Sequence, residues 1–243
     1  METRATVQRF CAMHERQDPS DPLVIPNVWD AVSARAFADA GFPVLATSSA
    51  AVAATLGYRD GGHTPPAEMF AAIARIVRSV SVPVTADVEH GYGLAPQELV
   101  DRLLDTGAVG CNLEDTDPLT GGLKDAAQHA DWLTEVSVAA GEHLVLNARV
   151  DTYLFGEHSV ETTVKRAVLY ARAGADVIYP ILAPPELLPD IATTVDRPIN
   201  ALCLPNGPTP SELGTLGAAR VTYGHTLHGR ITETVQAMAA ELR

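Results

Sequence analysis

The chain has 243 residues, 47% of them hydrophobic, which is enough apolar material for a sizeable core. Its formal net charge of −13 argues against a nucleic-acid partner, because phosphate groups bind to basic surfaces. No apolar run reaches about 18 residues, so we expect no membrane span, and the three scattered cysteines with a polar N-terminus predict a protein of the reducing cytoplasm.

The predicted elements begin with a strand in PLVIPNVWD, after which one unit recurs along the chain. In this unit an amphipathic helix ends in glycine and a short apolar strand follows, as in ADAGFPVLATSS, LDTGAVGCNLED, ARAGADVIYP and GTLGAARVTYG. Between these copies lie SVPVTADVE, GEHLVLNARVD and DRPINALCL. The count is roughly eight strands, and the glycines predicted as left-handed helix caps are Gly41, Gly107, Gly174 and Gly217.

The composition of the strands indicates how they are arranged. Most are continuous in Val, Ile, Leu and Ala, which is typical of parallel strands covered by helices. Thr64 is predicted to cap a helix opening at Pro65, and Ser159 to cap the helix that follows it. Eight strands alternating with helices over about 240 residues predict an α/β protein with a (β/α)8 TIM barrel, in one domain spanning residues 1–243. The alternative, an open doubly wound sheet, normally has a glycine-rich loop after its first strand, and PNVWDAVSARA has none.

Polar residues collect where these strands end, which is where such barrels place their active sites. They are Ser48, Ser49, Asp87, Glu89, Asn112, Glu114, Asp115, Asn147, Arg149, Asp151 and Asn200. We expect Asp87, Glu89 and Glu114 to converge on one point, where three carboxylates require a cation. A hard divalent ion such as Mg²⁺ prefers oxygen ligands, and Arg149 would hold a substrate carboxylate or oxyanion by a bidentate contact.

Structural interpretations of the same residues remain open at this point. Acids spaced as Asp87 and Glu89 are also common in solvated loops and helix caps. The pair Glu114-Asp115 is compatible with capping of the next segment, and Arg149 with a structural salt bridge to Asp151. The functional hypothesis is favoured by the joint pattern of acids and an arginine at consecutive strand ends. His90 is predicted as a loop residue, and Cys111 and Cys203 as core.

Four segments carry a resemblance to a known family. ATSSAAVAATLGYRDGG resembles a substrate-carboxylate loop that leads to an acid, here Asp60, and TADVEHGYG resembles a metal motif. VGCNLED and LNARVD are similar to a glutamate strand and an arginine strand. In this order and spacing they resemble the isocitrate lyase/phosphoenolpyruvate mutase superfamily, along nearly the whole chain. The resemblance implies Mg²⁺, with Mn²⁺ as a substitute, and an α-oxo acid or its enolate at the barrel mouth.

The resemblance also implies roles for individual residues. Asp87 matches the direct metal ligand, and the acids that hold the ion largely through its waters match Asp60, Glu89 and Glu114. Backbone amides near Ser48, Ser49 and Ala50 match the donors that bind the substrate carboxylate, and Arg149 matches the arginine that holds substrate oxygens. We expect Asn200 to join the substrate-binding set, and the catalytic set to be Arg149, Glu114 and Asp60.

The segments that choose the leaving group depart from the family pattern. The lyase lid carries a catalytic cysteine, whereas DTDPLTGGLKDAAQH has none and offers only Lys124. Ile181 stands where the lyases have a glutamate, and Glu89 replaces the usual aspartate. The sequence therefore predicts a Mg²⁺-dependent lyase for a small α-oxo or 2-hydroxy acid, cleaving a C–C bond or decarboxylating or hydrolysing an oxaloacetate-like compound. P–C chemistry on phosphonopyruvate and a non-catalytic oxo-acid-binding barrel remain as alternatives, and the substrate itself stays unnamed.

Two further segments carry expectations. Residues 116–128, with Gly121-Gly122, are predicted to form a mobile lid. The C-terminal LHGRITETVQAMAAELR places an apolar stripe on one helix, formed by Leu227, Ile231, Val235, Met238 and Leu242. This helix either covers its own barrel or crosses to a neighbour, as the resemblance implies, and we expect a homo-oligomer, a dimer or a tetramer.

Overall fold

Eleven strands are present in the computed structural model, which describes residues 2–15 and 18–243. They are β1 (Leu23–Val24), β2 (Asn27–Val28), β3 (Leu45–Thr47), β4 (Val84–Asp87), β5 (Gly110–Glu114), β6 (Thr116–Asp117), β7 (Gly122–Leu123), β8 (Val145–Val150), β9 (Val177–Pro180), β10 (Ile199–Leu202) and β11 (Ala218–Thr222). Nine of them form a parallel sheet in the order β1-β11-β10-β9-β8-β5-β4-β3-β2, and β6 and β7 form an antiparallel hairpin.

The parallel sheet is curled, and its two edges belong to one stretch of chain. Only Ile25 and Pro26 separate β1 from β2. The Ile25 amide donates to Val221 at 2.9 Å on one side, and the Pro26 carbonyl accepts from Ala46 at 3.0 Å on the other. Counting β1 and β2 as one interrupted strand gives the eight strands that the sequence predicts, in an α/β fold consistent with the TIM-like architecture.

Ten helices accompany the strands in the described part of the chain. They are α1 (Glu2–Ala12), α2 (Ala31–Asp39), α3 (Ser49–Leu56), α4 (Pro66–Val77), α5 (Pro96–Thr106), α6 (Ala126–Ala140), α7 (Val160–Arg172), α8 (Leu188–Thr194), α9 (Pro210–Thr215) and α10 (Thr226–Glu241), with short 3₁₀ turns at Thr152–Phe155 and Pro185–Leu187. The four predicted glycine caps all have left-handed φ angles, from 80° to 108°. This conformation costs glycine least, which is why the helix-to-strand turns are legible in the sequence.

The two predicted N-caps have different outcomes. Ser159 caps α7 as expected, since its hydroxyl accepts from the Thr162 amide at 3.3 Å. The prediction for Thr64 is wrong, because α4 begins at Pro66. The hydroxyl of Thr64 is buried and has no hydrogen-bond partner in the described chain. A proline at the first helical position has no N–H, so one of the groups that a cap would satisfy is missing.

Apolar side chains close the end of the sheet where the strands begin. Phe10 and Val7 of α1 pack in one cluster with Val109, Val145 and Val177 from the early parts of the strands. Phe10 is fully buried, and burying such a side chain stabilises the fold by about 1.5–3 kcal/mol. Cys111 and Cys203 lie in the larger core cluster, as predicted. Polar groups are therefore concentrated at the opposite end, where the strands finish.

Helix α10 does not cover the sheet along its length. Its first residues are partly buried, but every residue from Arg230 to Arg243 is exposed, including Ile231, Val235 and Met238 of the predicted stripe. The interpretation of α10 as an ordinary covering helix is therefore wrong for most of its length. Across the described residues, no helix is both long enough and apolar enough to span a bilayer.

Candidate active site

A cavity of about 220 Å³ opens at the carboxyl ends of the strands. Its wall includes polar residues from four of the strands and the loops after them: Ser48, Ser49, Asp60, Asp87, Asn112 and Arg149. Further polar residues line it as well: Asn27, Tyr179, Thr222, Tyr223, His225 and Thr226. Five apolar residues form another part of the wall: Leu154, Ile181, Leu182, Leu202 and Leu204. Most of the predicted substrate and metal residues thus share one small cavity. A larger cavity of about 650 Å³ near residues 13–24 and 40–43 contains none of them.

Asp87 ends β4 and is held firmly by its neighbours. Its Oδ2 accepts from the amide of Ser49 at 3.1 Å and from the hydroxyl of Ser49 at 2.9 Å, and its own amide donates to Thr47 Oγ1 at 2.9 Å. Its other oxygen, Oδ1, is buried and has no hydrogen-bond partner among the described residues. Such an orphaned carboxylate oxygen is costly to bury, so this atom is a natural ligand for a cation.

Asp60 and Glu89 place two more acids beside Asp87. Glu89 follows the strand with a left-handed φ of 51°, and its Oε2 accepts a short hydrogen bond from the Gly62 amide. Burial, Asp60 and Asp87 together raise the pKa of Glu89 to about 7. Burial and Asp87 likewise raise the pKa of Asp60. Both raised pKa values indicate that the negative charge of the three carboxylates is not balanced by positive charge at this point.

Arg149 lies between two acids at the next strand ends. Its Nε and Nη2 donate to the two oxygens of Asp151 at 2.7 and 3.0 Å, and Nη2 also forms a short ion pair with Glu114. Burial raises the pKa of Glu114, with Arg149 opposing that shift. The salt bridge weighed from the sequence is therefore present, and it leaves Nη1 as the nitrogen of Arg149 without a partner in the described chain.

Asp115 supports this arrangement from outside the cavity. It is fully buried and accepts from the Asp151 amide at 2.8 Å, from Arg166 at 2.9 Å and from the Tyr170 hydroxyl at 2.7 Å. These bonds fix Asp151, and Asp151 in turn orients Arg149. The capping role considered for Asp115 is wrong, since Asp125 caps the next helix.

The expected convergence of Asp87, Glu89 and Glu114 on one point is not found. Among the residues that the structure describes, no group of three or more His, Cys, Asp or Glu side chains is placed to hold a metal ion. The reason is that each acid accepts from a different donor: Ser49, the Gly62 amide and Arg149. Their mutual repulsion favours this separation. Direct ligation by all three acids therefore does not fit the structure, whereas one direct carboxylate does.

Three predicted site residues do not line the cavity: Glu89, Glu114 and Asn200. Asn200 is the one that also lies below the level of the cavity. It is fully buried, and its Oδ1 accepts from Thr222 at 3.1 Å. Asn200 pairs in register with Arg220, one layer below Leu202 and Thr222, which do line the cavity. The sequence predicts the correct strand for Asn200. Its position along that strand, two residues before the cavity-lining Leu202, could not be predicted because the depth of the cavity is not encoded in the strand itself.

Several cavity residues were not predicted. Thr47, which is buried behind the wall and accepts from the Asp87 amide, was not predicted either, although it directly precedes Ser48. Tyr179 and the apolar residues near Leu182 lie on loops and strand ends that carry no polar signal. Lys124 of the predicted lid does not line this cavity, because its amine lies 5.2 Å from the ring centre of Trp132.

Comparison with known proteins agrees with the geometry. A family model described as phosphoenolpyruvate phosphomutase matches residues 10–243. The chain belongs to the isocitrate lyase/phosphoenolpyruvate mutase superfamily. A probable 2-methylisocitrate lyase 2 of Corynebacterium glutamicum is 32% identical over 218 residues, covering 84% of this chain and 70% of the relative. An oxaloacetate decarboxylase of Rhodopseudomonas palustris is 30% identical over 240 residues, covering 89% and 78%.

Solved structures of superfamily members share the fold. A Burkholderia cenocepacia J2315 protein crystallised as a candidate phosphonomutase has a TM-score of 0.89 and 35% identity, covering 97% of this chain and 99% of that one. Oxaloacetate acetylhydrolase in complex with the product oxalate has a TM-score of 0.86 over 99% of this chain and 87% of that one. At 20% identity this second likeness concerns the fold alone. Lyases and mutases both occur among these superfamily relatives, so the chain is an enzyme of this type.

Proposed function

We propose that this superfamily member is a Mg²⁺-dependent lyase that acts on a small α-oxo or 2-hydroxy acid through a pyruvate-enolate-type intermediate. The observation that carries the proposal is that Asp87, with its unpaired Oδ1, lines one cavity of about 220 Å³ together with Ala50 and Arg149. An unpaired carboxylate oxygen, a backbone donor and a cation supply what an oxo acid and its metal need. We further propose that the curled sheet forms a closed (β/α)8 barrel in a single domain.

The acids of the site fit one hydrated divalent ion. Asp87 Oδ1 would bind it directly, and Asp60, Glu89 and Glu114 would hold it through its waters. Mg²⁺ typically keeps several waters and uses one or two carboxylates, which agrees with the separation of the acids. When bound, the ion would supply a positive charge that stabilises an enolate oxygen.

The residues of the chain then divide the remaining work. The Ala50 backbone amide would donate to the substrate carboxylate, and Arg149 Nη1 would donate to the C2 oxygen, while the Ser49 amide keeps its bond to Asp87 Oδ2. In oxaloacetate the C3–C4 bond would break with loss of CO2, its electron pair forming the C2–C3 double bond of the enolate while the carbonyl π pair moves onto the C2 oxygen. Arg149 would stabilise the oxyanion that develops, and proton transfer to C3 would give pyruvate. Because Asp151 and Glu114 already engage Nε and Nη2, we propose a single contact from Arg149 rather than a bidentate one.

The apolar part of the wall favours this substrate class over the alternatives. Arg149 is the sole lysine or arginine among the described lining residues, while Ile181, Leu182, Leu202 and Leu204 form one side. A phosphonate dianion or a tricarboxylate would leave more charge unpaired against this side than the single C4 carboxylate of oxaloacetate, which is costly. That carboxylate also loses its charge on leaving as CO2, which this apolar side favours. P–C chemistry is therefore the second choice, and a non-catalytic oxo-acid-binding barrel the third.

A substrate screen tests this proposal. Oxaloacetate, phosphonopyruvate and 2-methylisocitrate are incubated with Mg²⁺ and the enzyme, and pyruvate, acetate with oxalate, and phosphate are measured against enzyme-free blanks. Turnover of oxaloacetate above its Mg²⁺ blank is the expected result. Phosphate release from phosphonopyruvate would support the second choice, and ligand binding without any product the third.

We also propose that α10 packs on a second copy of the chain. Its stripe of Ile231, Val235, Met238 and Leu242 is exposed, and such a surface is usually covered. Light scattering at micromolar concentration should give a multiple of 25.7 kDa. Val235→Glu should lower that mass, whereas Ala240→Glu, on the opposite face of α10, should not. A monomer mass for the unmodified chain would refute the proposal.

A further inference from the structure

One arginine lies inside the sheet, below the cavity, without an ion-pair partner among the described residues, although the Asp87 carboxylate acts on its charge from a distance. Arg220 of β11 is 0% exposed and forms no ion pair within the described part of the chain. Its Nη2 donates to Asn112 Oδ1 at 3.4 Å, while Nε and Nη1 have no partner there. Burial lowers the pKa of Arg220 to about 10, so the side chain is still a cation at neutral pH. A buried cation strongly favours acceptor atoms around it.

This cation sets the orientation of the two amides beside it. A guanidinium can only donate hydrogen bonds, so Asn112 must turn its oxygen toward Arg220. The same oxygen accepts from Asn147 Nδ2 at 2.8 Å. A flipped Asn112 would place its NH2 group against two donors, which is unfavourable. The direction of the Asn112 amide therefore follows from Arg220, without reference to any hydrogen position.

The side-chain nitrogen of Asn112, Nδ2, is free to donate to a ligand in the cavity. Asn112 lines the cavity wall, and Nδ2 has no hydrogen-bond partner among the described residues. Asn112 pairs in register with Asp87 on the adjacent strand. A fixed N–H donor thus stands beside the carboxylate that is proposed to hold the metal, with a positive charge behind it.

We propose that Asn112 is a substrate-binding residue that donates from Nδ2 to a carboxylate or enolate oxygen of the oxo acid, and that Arg220 is a positioning residue that fixes this donor. The inference rests on the proposed function and adds to it a specificity element. A negatively charged oxygen is the preferred partner, because the Arg220 charge behind the amide strengthens the donation. A ligand group without an acceptor oxygen at this point would leave the N–H unpaired.

Oxalate is the probe for the test, because it is a planar dianion shaped like the enolate of pyruvate. Its binding is measured by calorimetry at pH 7.5 with Mg²⁺ present, and Mg²⁺ binding is measured alone. The variants are Asn112→Asp, Arg220→Met and Arg220→Lys. Asn206→Asp makes the same amide-to-carboxylate change on an exposed loop and serves as the matched control.

Asn112→Asp keeps an oxygen that accepts from Arg220 and Asn147, so the fold is retained. On the ligand side it replaces the N–H donor by a carboxylate oxygen, which cannot donate. Loss of one charge-assisted hydrogen bond, with an added repulsion, should weaken oxalate binding about 100-fold. Mg²⁺ alone should bind as tightly as before or more tightly, a split that a merely structural role would not produce. Arg220→Met should weaken oxalate about 10-fold by releasing the amide, and Arg220→Lys should restore most of the affinity.

The outcomes separate this inference from the proposed function. If the unmodified chain binds oxalate and Asn112→Asp binds it equally well, the inference is wrong and the proposed function stands. If the unmodified chain binds no oxalate, both are wrong. Where Arg220→Met fails to fold, Asn112→Asp against Asn206→Asp still decides the question.

Discussion

Arg149→Lys separates the two roles that the structure gives to one side chain. The substitution keeps the charge but replaces a planar fork by one amine. Arg149 bonds both oxygens of Asp151, at 2.7 and 3.0 Å, and pairs with Glu114. Lysine can retain one of these partners at a time, so at least one charged hydrogen bond to a buried acid is lost. Each such bond contributes about 1.5–3 kcal/mol.

The expected loss of unfolding free energy is therefore about 2–3 kcal/mol. In a chain of this size that corresponds to a fall in Tm of roughly 4–12 °C. Loss of the Nη1 donor should also lower kcat/KM by about 10²-fold or more. Thermal unfolding and steady-state assays on the best substrate measure the two effects, and Arg172→Lys on the exposed face of α7 is the control. An unchanged Tm would contradict the buried ion pairs, and an unchanged kcat/KM would contradict the contact with substrate.

Three further results are expected. Asp87→Ala should remove most of the heat of Mg²⁺ binding in calorimetry, whereas Asp105→Ala on α5 should not. Equal Mg²⁺ affinity of the two variants would refute the metal site. Limited proteolysis should cut within 117–122, where Leu119 is 93% exposed, and oxalate with Mg²⁺ should protect that hairpin; equal cutting with and without ligand would mean a passive loop. Burial lowers the pKa of His129 to about 3. Below pH 6.5 the unfolded chain therefore binds a proton that the folded chain does not bind, and the free energy of unfolding decreases as the pH is lowered. His129→Phe should reduce the loss between pH 6.5 and 5 by about 1.5 kcal/mol in chemical denaturation, and an unchanged loss would place His129 in a wetter environment.

The sequence predicts the elements of this fold well because their ends have local causes. Left-handed glycines such as Gly107 and Gly174 mark where helices stop, and the apolar strands between them have one plausible partner arrangement. Thr64 shows the limit of this reasoning. Thr64 would directly precede a helix that begins at Pro65, but the helix begins at Pro66, so Pro65 occupies the N-cap position instead.

The candidate site was predictable in its membership more than in its contacts. Asp87 and Arg149 follow from strand ends and motifs, which are local features of the sequence. The pairing of Arg149 with both Asp151 and Glu114 depends on distances between strands, and so does the burial of Arg220 below Asn112. Such partners are set by register across the sheet, which no single segment encodes.

A crystal structure of this chain with Mg²⁺ and oxalate tests the central claim most directly. The account predicts a metal about 2.0–2.1 Å from Asp87 Oδ1, with waters between it and the other acids. It also predicts oxalate oxygens within hydrogen-bond distance of the Ala50 amide and Arg149 Nη1. Metal and oxalate bound elsewhere, or this cavity empty at saturating concentrations of both, would contradict it.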